Sequence, residues 1–163
     1  RARKVAAVAQ DIPPTTVRGE TSGDLLVIGW GSTFGSITAA TDEVRAQGKR
    51  VSPLHLRYLK PLPPDLAGVL GGFKKILVPE MNMGQLRMVL RATYLVDAIG
   101  LNKIQGQPCK VSEIVAEITA TSREQSTGID QLNSAVAQMD KVTQANAASS
   151  EESSSAARIR ARR

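Results

Sequence analysis

Between Asp24 and Trp30 the chain reads Asp-Leu-Leu-Val-Ile-Gly-Trp, four consecutive apolar side chains with no polar residue between them. Successive side chains of a strand point to opposite faces, so such a run needs cover on both sides, the condition of a strand inside a parallel sheet. A glycine-rich turn follows, after which Ile37, Ala40 and Val44 recur at helical spacing until Gly48, a helix-ending residue. The alternation then repeats. Arg50 to Leu56 is expected as a second strand, Pro63-Pro64-Asp65 opens a short helix through Leu70, and Lys75 to Pro79 is a third strand. Met83 to Ile99 carries Leu86, Val89, Leu90 and Thr93 on one helical face, and Asn102 to Gln105 is expected as a fourth strand. Strands alternating with helices at this spacing predict βαβ units with right-handed crossovers, hence a small open α/β domain over residues 24–110.

The flanks differ from this centre. Arg1 to Ile12 reads as the end of a helix stopped by Pro13-Pro14, which lack amide donors, and Thr15 to Gly23 reads as a polar linker. From Val111 the period changes: Val111, Val115, Ile118, Ser122, Gln125, Ile129, Leu132, Val136, Met139, Thr143 and Asn146 fall at alternating separations of four and three. That is the seam of a coiled coil or bundle. With no proline after Pro108, one helix of about 40 residues, roughly 60 Å long, is expected over 111–147. The seam is partly polar, with Ser122, Gln125, Thr143 and Asn146 in it, and needs a partner helix. The serine-rich and basic stretch 148–163 is expected to fray.

Composition divides at the same place. Every aromatic (Trp30, Phe34, Tyr58, Phe73, Tyr94), every proline and every glycine but Gly128 precedes residue 110. Residues 1–110 carry 15 Lys/Arg against 8 Asp/Glu, residues 111–157 carry 2 against 7, and the rest of the net +6 sits in Arg158, Arg160, Arg162 and Arg163. No basic stripe interleaved with aromatics is present, which argues against a nucleic-acid face. Cys109 is the only cysteine, so no internal disulfide and no cysteine-built metal site exists, and a reducing compartment is implied. No run approaches the ~18 apolar residues of a membrane span, and the N-terminus lacks the apolar core of a signal peptide, so the chain reads as cytoplasmic. It begins at Arg1 and is read as a fragment of a longer protein.

Few residues carry chemistry. In the turn Gly29-Trp-Gly31-Ser32-Thr33-Phe-Gly35, the backbone at Gly31, Ser32 and Thr33 faces a helix start, where amides receive a phosphate or carboxylate. The spacing misses the dinucleotide fingerprint by one residue, and no acidic residue follows the second strand to hold a ribose, so a plain turn accounts for it as well. His55, the sole histidine, lies near the end of the second strand with no nucleophile or carboxylate beside it, which favours a structural or interface role over a catalytic base. Arg57 is a candidate anion contact or an exposed guanidinium. Met81-Asn-Met-Gly84-Gln-Leu86 opens the helix after the third strand, with methionines suited to core or interface packing and a glycine permitting close approach. Cys109, with only Lys110 beside it, reads as inert.

Taken together, Asp24 to Thr33, Val51 to Leu62 ending Leu59-Lys-Pro-Leu-Pro, and Ile76-Leu-Val-Pro-Glu-Met-Asn-Met-Gly-Gln-Leu86 resemble the C-terminal part of the alpha subunit of 2-oxoacid:ferredoxin oxidoreductases, especially the 2-oxoglutarate type. The likeness runs from Arg1 to about Ile114. It implies a transketolase C-terminal-like domain that helps assemble an enzyme converting a 2-oxoacid and coenzyme A to an acyl-CoA, with electrons passed to ferredoxin. It further implies thiamine diphosphate, magnesium and an iron–sulfur cluster in that enzyme. No catalytic, cofactor-binding or metal-binding residue of that machinery falls in this chain, which is therefore expected to be inactive alone and to depend on the beta subunit and upstream alpha-subunit domains. Ile118 to Ala147 is similar to the descending signalling helix of methyl-accepting chemotaxis receptors, and Ala148-Ser-Ser-Glu-Glu-Ser-Ser-Ser155 resembles their methylation consensus, with Glu152 as the residue esterified. The alternative implied is a receptor-like signalling or interaction segment fused to an α/β domain. Both patterns run through Val111 to Ile118, where a chimeric junction would lie.

Overall fold

The structure is a computed structural model that describes residues 2–160, with the backbone alone described at 2, 125, 148 and 151–160. Helix α1 (Ala2–Ala7) runs into a 3-10 turn at Val8–Asp11 and stops before the prolines. Then follow β1 (Gly23–Trp30), α2 (Phe34–Ala46), β2 (Val51–Leu56), α3 (Leu66–Gly71), β3 (Phe73–Glu80), α4 (Gln85–Tyr94), β4 (Ala98–Asn102) and α5 (Val111–Arg160). All strand pairs are parallel and the order is β2-β1-β3-β4. This is the open parallel α/β sheet that the unbroken apolar run requires.

Alternation along β1 divides the core in two. Leu26 and Ile28 join Leu54, Leu56, Ile76 and Val78 under α3 (Leu66, Leu70) and α4 (Leu86, Leu90). Leu25 and Val27 face the other way with Val51 and Leu77, under Ile37, Ala40 and Val44 of α2. The second cover on that face is the start of α5, whose Ile114 and Ile118 are fully buried. Burying two such side chains contributes about 3–6 kcal/mol.

That packing moves the domain boundary. The chain forms two compact units, Arg1–Ser122 and Arg123–Arg163, so the α/β unit closes at Ser122 and not at Lys110. Val111, Ile114, Val115, Ile118 and Thr121 follow the 3.6-residue period of a helix lying on a sheet, and this hides them inside the seam spacing read from sequence. Glu113 locks the start of α5: it accepts the Lys110 amide at 2.8 Å and the Lys103 ammonium at 2.8 and 2.9 Å, tying the helix to the end of β4. In the second unit Ile129, Leu132, Val136 and Met139 are exposed. The helical backbone continues through 148–160, where fraying was expected.

Two other expectations are corrected. The fourth strand is Ala98–Asn102, not 102–105, and α4 ends at Tyr94, because Leu95 adopts φ 56° and turns the chain out of the helix. The 15–23 stretch is no free linker. Thr15 donates through its amide and hydroxyl to Asp65, Val17 bridges Leu54, the Arg18 amide donates to Pro53 O, and Ser52 donates to Glu20 O. It is a strap pinned along the free edge of β2.

Candidate functional site

In a sheet ordered β2-β1-β3-β4 the chain leaves β1 toward one edge and returns on the other side of it, so the loops after β1 and β3 part and open a crevice. Open α/β sheets bind ligands at such a point. Here the last residues of the two strands, Trp30 and Glu80, meet across it. The Glu80 carboxylate is fully buried and accepts four N–H groups: the Trp30 indole at 3.2 Å, Asn82 Nδ2 at 3.2 Å and the Leu86 amide at 2.9 Å on Oε1, and the Arg87 amide at 3.1 Å on Oε2. Asn82 Oδ1 takes the preceding two amides, Gly84 at 2.7 Å and Gln85 at 3.1 Å. All four otherwise unpaired amides around the start of α4 are thereby satisfied by side chains of the loop before it.

The place where a phosphate would sit on a helix N-terminus is thus filled by the chain's own carboxylate. Gly84 makes the turn possible: its φ is +87°, and a Cβ there would lie 3.0 Å from Asn102 Nδ2. The close approach expected of Gly84 is therefore to Asn102 within the same domain. Beside the crevice lies a shallow apolar depression lined by Trp30, Leu59, Leu86 and Val89, and Met83 (67%), Met88 (53%) and Val89 (44%) are exposed.

A second, larger cavity of about 430 Å³ lies under the 13–18 strap. His55 and Arg57 from the end of β2 line it with Tyr58, Phe34 and Thr38 of α2, and Arg18 of the strap. The Phe34 ring meets His55 edge-on at 5.0 Å, and His55 Nδ1 is buried without a hydrogen-bond partner. Burial, and secondarily the charge of Arg57, lowers the His55 pKa below 6.5, leaving a neutral imidazole at neutral pH.

Of the residues singled out in sequence, the fold brings His55 and Arg57 together in this cavity. Gly31, Ser32 and Thr33 form a 3-10 turn outside its lining, and the Thr33 hydroxyl donates to Trp30 O at 2.9 Å while accepting the Trp30 amide at 3.1 Å. Gly29 is needed for close packing, since a Cβ there would lie 2.3 Å from Ile37 Cδ1. Cys109 is buried in the core, and desolvation raises its pKa. The Glu152 side chain lies outside the described residues. Sequence reasoning missed Glu80, Asn82 and Arg18. An acidic residue ending a strand, then Asn-x-Gly before a helix, was the available signal for the first two.

The single cysteine cannot hold an iron–sulfur cluster, and among the described residues no group of three His, Cys, Asp or Glu side chains could hold a metal ion. Among the described residues no helix is long and apolar enough to cross a membrane.

Comparison with known proteins places the domain. The family described as pyruvate:ferredoxin oxidoreductase core domain II matches residues 23–114. The 2-oxoglutarate oxidoreductase subunit KorA of Mycobacterium tuberculosis is 39% identical over 120 residues, covering 74% of this chain and 18% of that protein. The fold matches the 2-oxoglutarate:ferredoxin oxidoreductase of Magnetococcus marinus, solved with 2-oxoglutarate, coenzyme A and succinyl-CoA, at a TM-score of 0.67 and 29% identity over 71% of this chain and 21% of that one. A split-gene transketolase shares the fold alone, at a TM-score of 0.53 and 18% identity over 66% of this chain and 41% of that one. The methyl-accepting chemotaxis protein McpB of Pseudomonas aeruginosa is 58% identical over 48 residues, 29% of this chain and 7% of that protein. The chain thus spans about a fifth of the length of KorA and of the Magnetococcus marinus oxidoreductase chain.

Proposed function

The chain belongs to the pyruvate:ferredoxin oxidoreductase core domain II family and resembles the alpha subunit of a 2-oxoglutarate:ferredoxin oxidoreductase, and on that basis we propose that residues 23–122 are its structural and subunit-assembly domain. The observation that carries this reading is the Glu80 carboxylate, buried at the sheet's switch point with all four of its N–H partners supplied by the domain itself. A site closed in this way holds two loops in register and takes no substrate. The Met-rich, partly apolar surface beside it suits packing against another domain.

In this reading the whole enzyme, in the cytoplasm, oxidatively decarboxylates a 2-oxoacid to its acyl-CoA and reduces ferredoxin. Thiamine diphosphate, magnesium and the iron–sulfur cluster are held by the upstream alpha-subunit domains and the beta subunit. This chain supplies none of their ligands and is inactive alone. The test is to graft residues 1–122 in place of the matching 120-residue segment of KorA, co-express the hybrid with its partner subunit, and follow 2-oxoglutarate- and coenzyme A-dependent reduction of a viologen dye. Assembly with retained turnover is expected. A hybrid subunit that folds and fails to bind its partner would remove the assembly role.

A second reading concerns the tail. Its likeness to chemotaxis receptors and the exposed row Ile129, Leu132, Val136 and Met139 favour a helix that joins a receptor-like bundle, with Glu152 reversibly methylated. Labelling by a chemoreceptor methyltransferase that is abolished by Glu152→Ala supports this reading, and absence of label refutes it.

A further inference from the structure

We propose that the cavity beneath the 13–18 strap binds a small organic anion, a carboxylate or phosphate ester joined to a flat apolar body. The inference concerns the domain itself and does not rest on the enzyme it serves. Its volume, about 430 Å³, falls in the range that encloses a small molecule. Its lining is one-sided in charge: Arg18 and Arg57 are cationic, His55 can become so, and no Asp or Glu lines it. Guanidinium groups set on two different segments suit an anion gripped from two directions.

His55 supplies the second line of argument. Its imidazole lines the cavity, and its Nδ1, sealed from water, meets no donor or acceptor of the chain. A carboxylate or phosphate oxygen accepts a hydrogen bond from the protonated imidazole while Arg57 and Arg18 balance its charge. Much of the remaining wall is flat and apolar, made by the rings of Phe34 (48% exposed) and Tyr58 (43%) with Pro13, Pro53 and Pro63, while Thr15, Thr16 and Thr38 add hydroxyls. They match an aromatic or heterocyclic body better than a bare ion.

The cavity is also preformed. Asp65 holds Thr15, the Val17–Leu54 bridge and the Arg18 amide hold the other end of the strap, and Arg18 Nη1 donates to Thr38 Oγ1 at 3.2 Å. Binding therefore orders few groups, which lowers its entropic cost.

Because His55 is the sole histidine, one side-chain resonance reports the site. The full chain is titrated with phenyl phosphate while the His55 Cε1–H signal is followed by NMR. A saturable shift with Kd at or below about 1 mM is expected. Phenol, a ring without charge, and inorganic phosphate, a charge without ring, should each bind at least about tenfold more weakly, a difference of ~1.4 kcal/mol. Arg18→Gln/Arg57→Gln should weaken phenyl phosphate at least about tenfold, whereas Lys49→Gln, outside the cavity, should leave it unchanged. The His55 titration midpoint should also rise on binding. The groups facing it are Arg18, Arg57 and Tyr58, and α2 contributes only Phe34, Ile37 and Thr38, none of which is charged. A Trp30 fluorescence melt confirms folding of each variant, and Arg57→Gln alone serves if the double variant is unstable. No saturable shift, equal binding of inorganic phosphate, or undiminished binding by the folded arginine variants would each overturn the proposal.

Discussion

Replacing Glu80 by Gln keeps the shape of the side chain and removes its charge and one acceptor. In the native domain four N–H groups point at the carboxylate, at 2.9–3.2 Å. If the glutamine keeps its oxygen toward Trp30, Asn82 and Leu86, three charge-assisted bonds become neutral ones, a loss of about 1 kcal/mol each. Its NH2 then confronts the Arg87 amide, donor against donor, which orphans that amide for a further ~2 kcal/mol. Against this total of about 5 kcal/mol stands relief from burying a charge, which offsets roughly half of it. A net loss of about 2–3 kcal/mol is expected, on the order of 10 °C in Tm for a domain of this size. Trp30 is the only tryptophan and one of the four donors, so urea unfolding followed by its fluorescence reads both stability and the local contact. Asn82→Ala, which removes the cap on Gly84 and Gln85, should cost about 1 kcal/mol and couple with Glu80→Gln, since the two side chains share a hydrogen bond. A Glu80→Gln domain within about 0.5 kcal/mol of the wild type would refute the view that this carboxylate holds the switch point together.

Gly84→Ala places a Cβ at φ +87° and 3.0 Å from Asn102 Nδ2, so urea titration should show a loss of about 1–3 kcal/mol. Truncation after Ser122 should leave the melting of the α/β unit unchanged, whereas truncation after Lys110 removes Ile114 and Ile118 and about 3–6 kcal/mol, enough to unfold much of a small domain. Cys109 is buried and burial raises its pKa, so its reaction with a thiol reagent at neutral pH should be at least about tenfold slower than in urea, with rates compared by absorbance. The His55 pKa is lowered on folding, so protonation favours the unfolded chain: the stabilising difference is present above 6.5 and is lost as pH falls through the folded value. A denaturation series across that window should show this slope in the wild type and lack it in His55→Gln.

The parts of the fold legible in the sequence are those set by short-range period. Leu25 to Ile28 alternate between two covered faces, and Ile37, Ala40 and Val44 make one helical face, so β1 and α2 follow from neighbours alone. The misplaced β4 has a local cause too: Gly100 interrupts the apolar run, and the turn at Leu95 is made by a non-glycine residue at positive φ. The boundary at Ser122 was hidden for another reason. A helix lying on a sheet and a helix in a coiled coil both repeat apolar residues at three and four, so Val111 to Ser122 satisfies both descriptions until the sheet is seen beneath it.

The candidate sites divide along the same line. His55 in β2 and Arg57 just after it are two residues apart and were visible together, but Arg18 joins them in the cavity only because a strap that looks like linker is pinned at Thr15 by Asp65, 50 residues further on. Glu80 and Trp30, also 50 residues apart, meet because the β1–β3 pairing sets the ends of their strands side by side. A glycine-rich turn after β1 suggests a phosphate cradle, yet a cradle needs unsatisfied donors as well as a turn. Here the Thr33 hydroxyl accepts the Trp30 amide, and the donors at the neighbouring helix start are taken by Glu80 and Asn82. In the cavity under the strap the condition is reversed, since two guanidinium groups line its walls and no carboxylate does. Charge, and not glycine spacing, therefore separates the place in this domain where a ligand is to be sought from the helix start, where the Glu80 carboxylate already sits and where Arg87 Nε is itself without a partner.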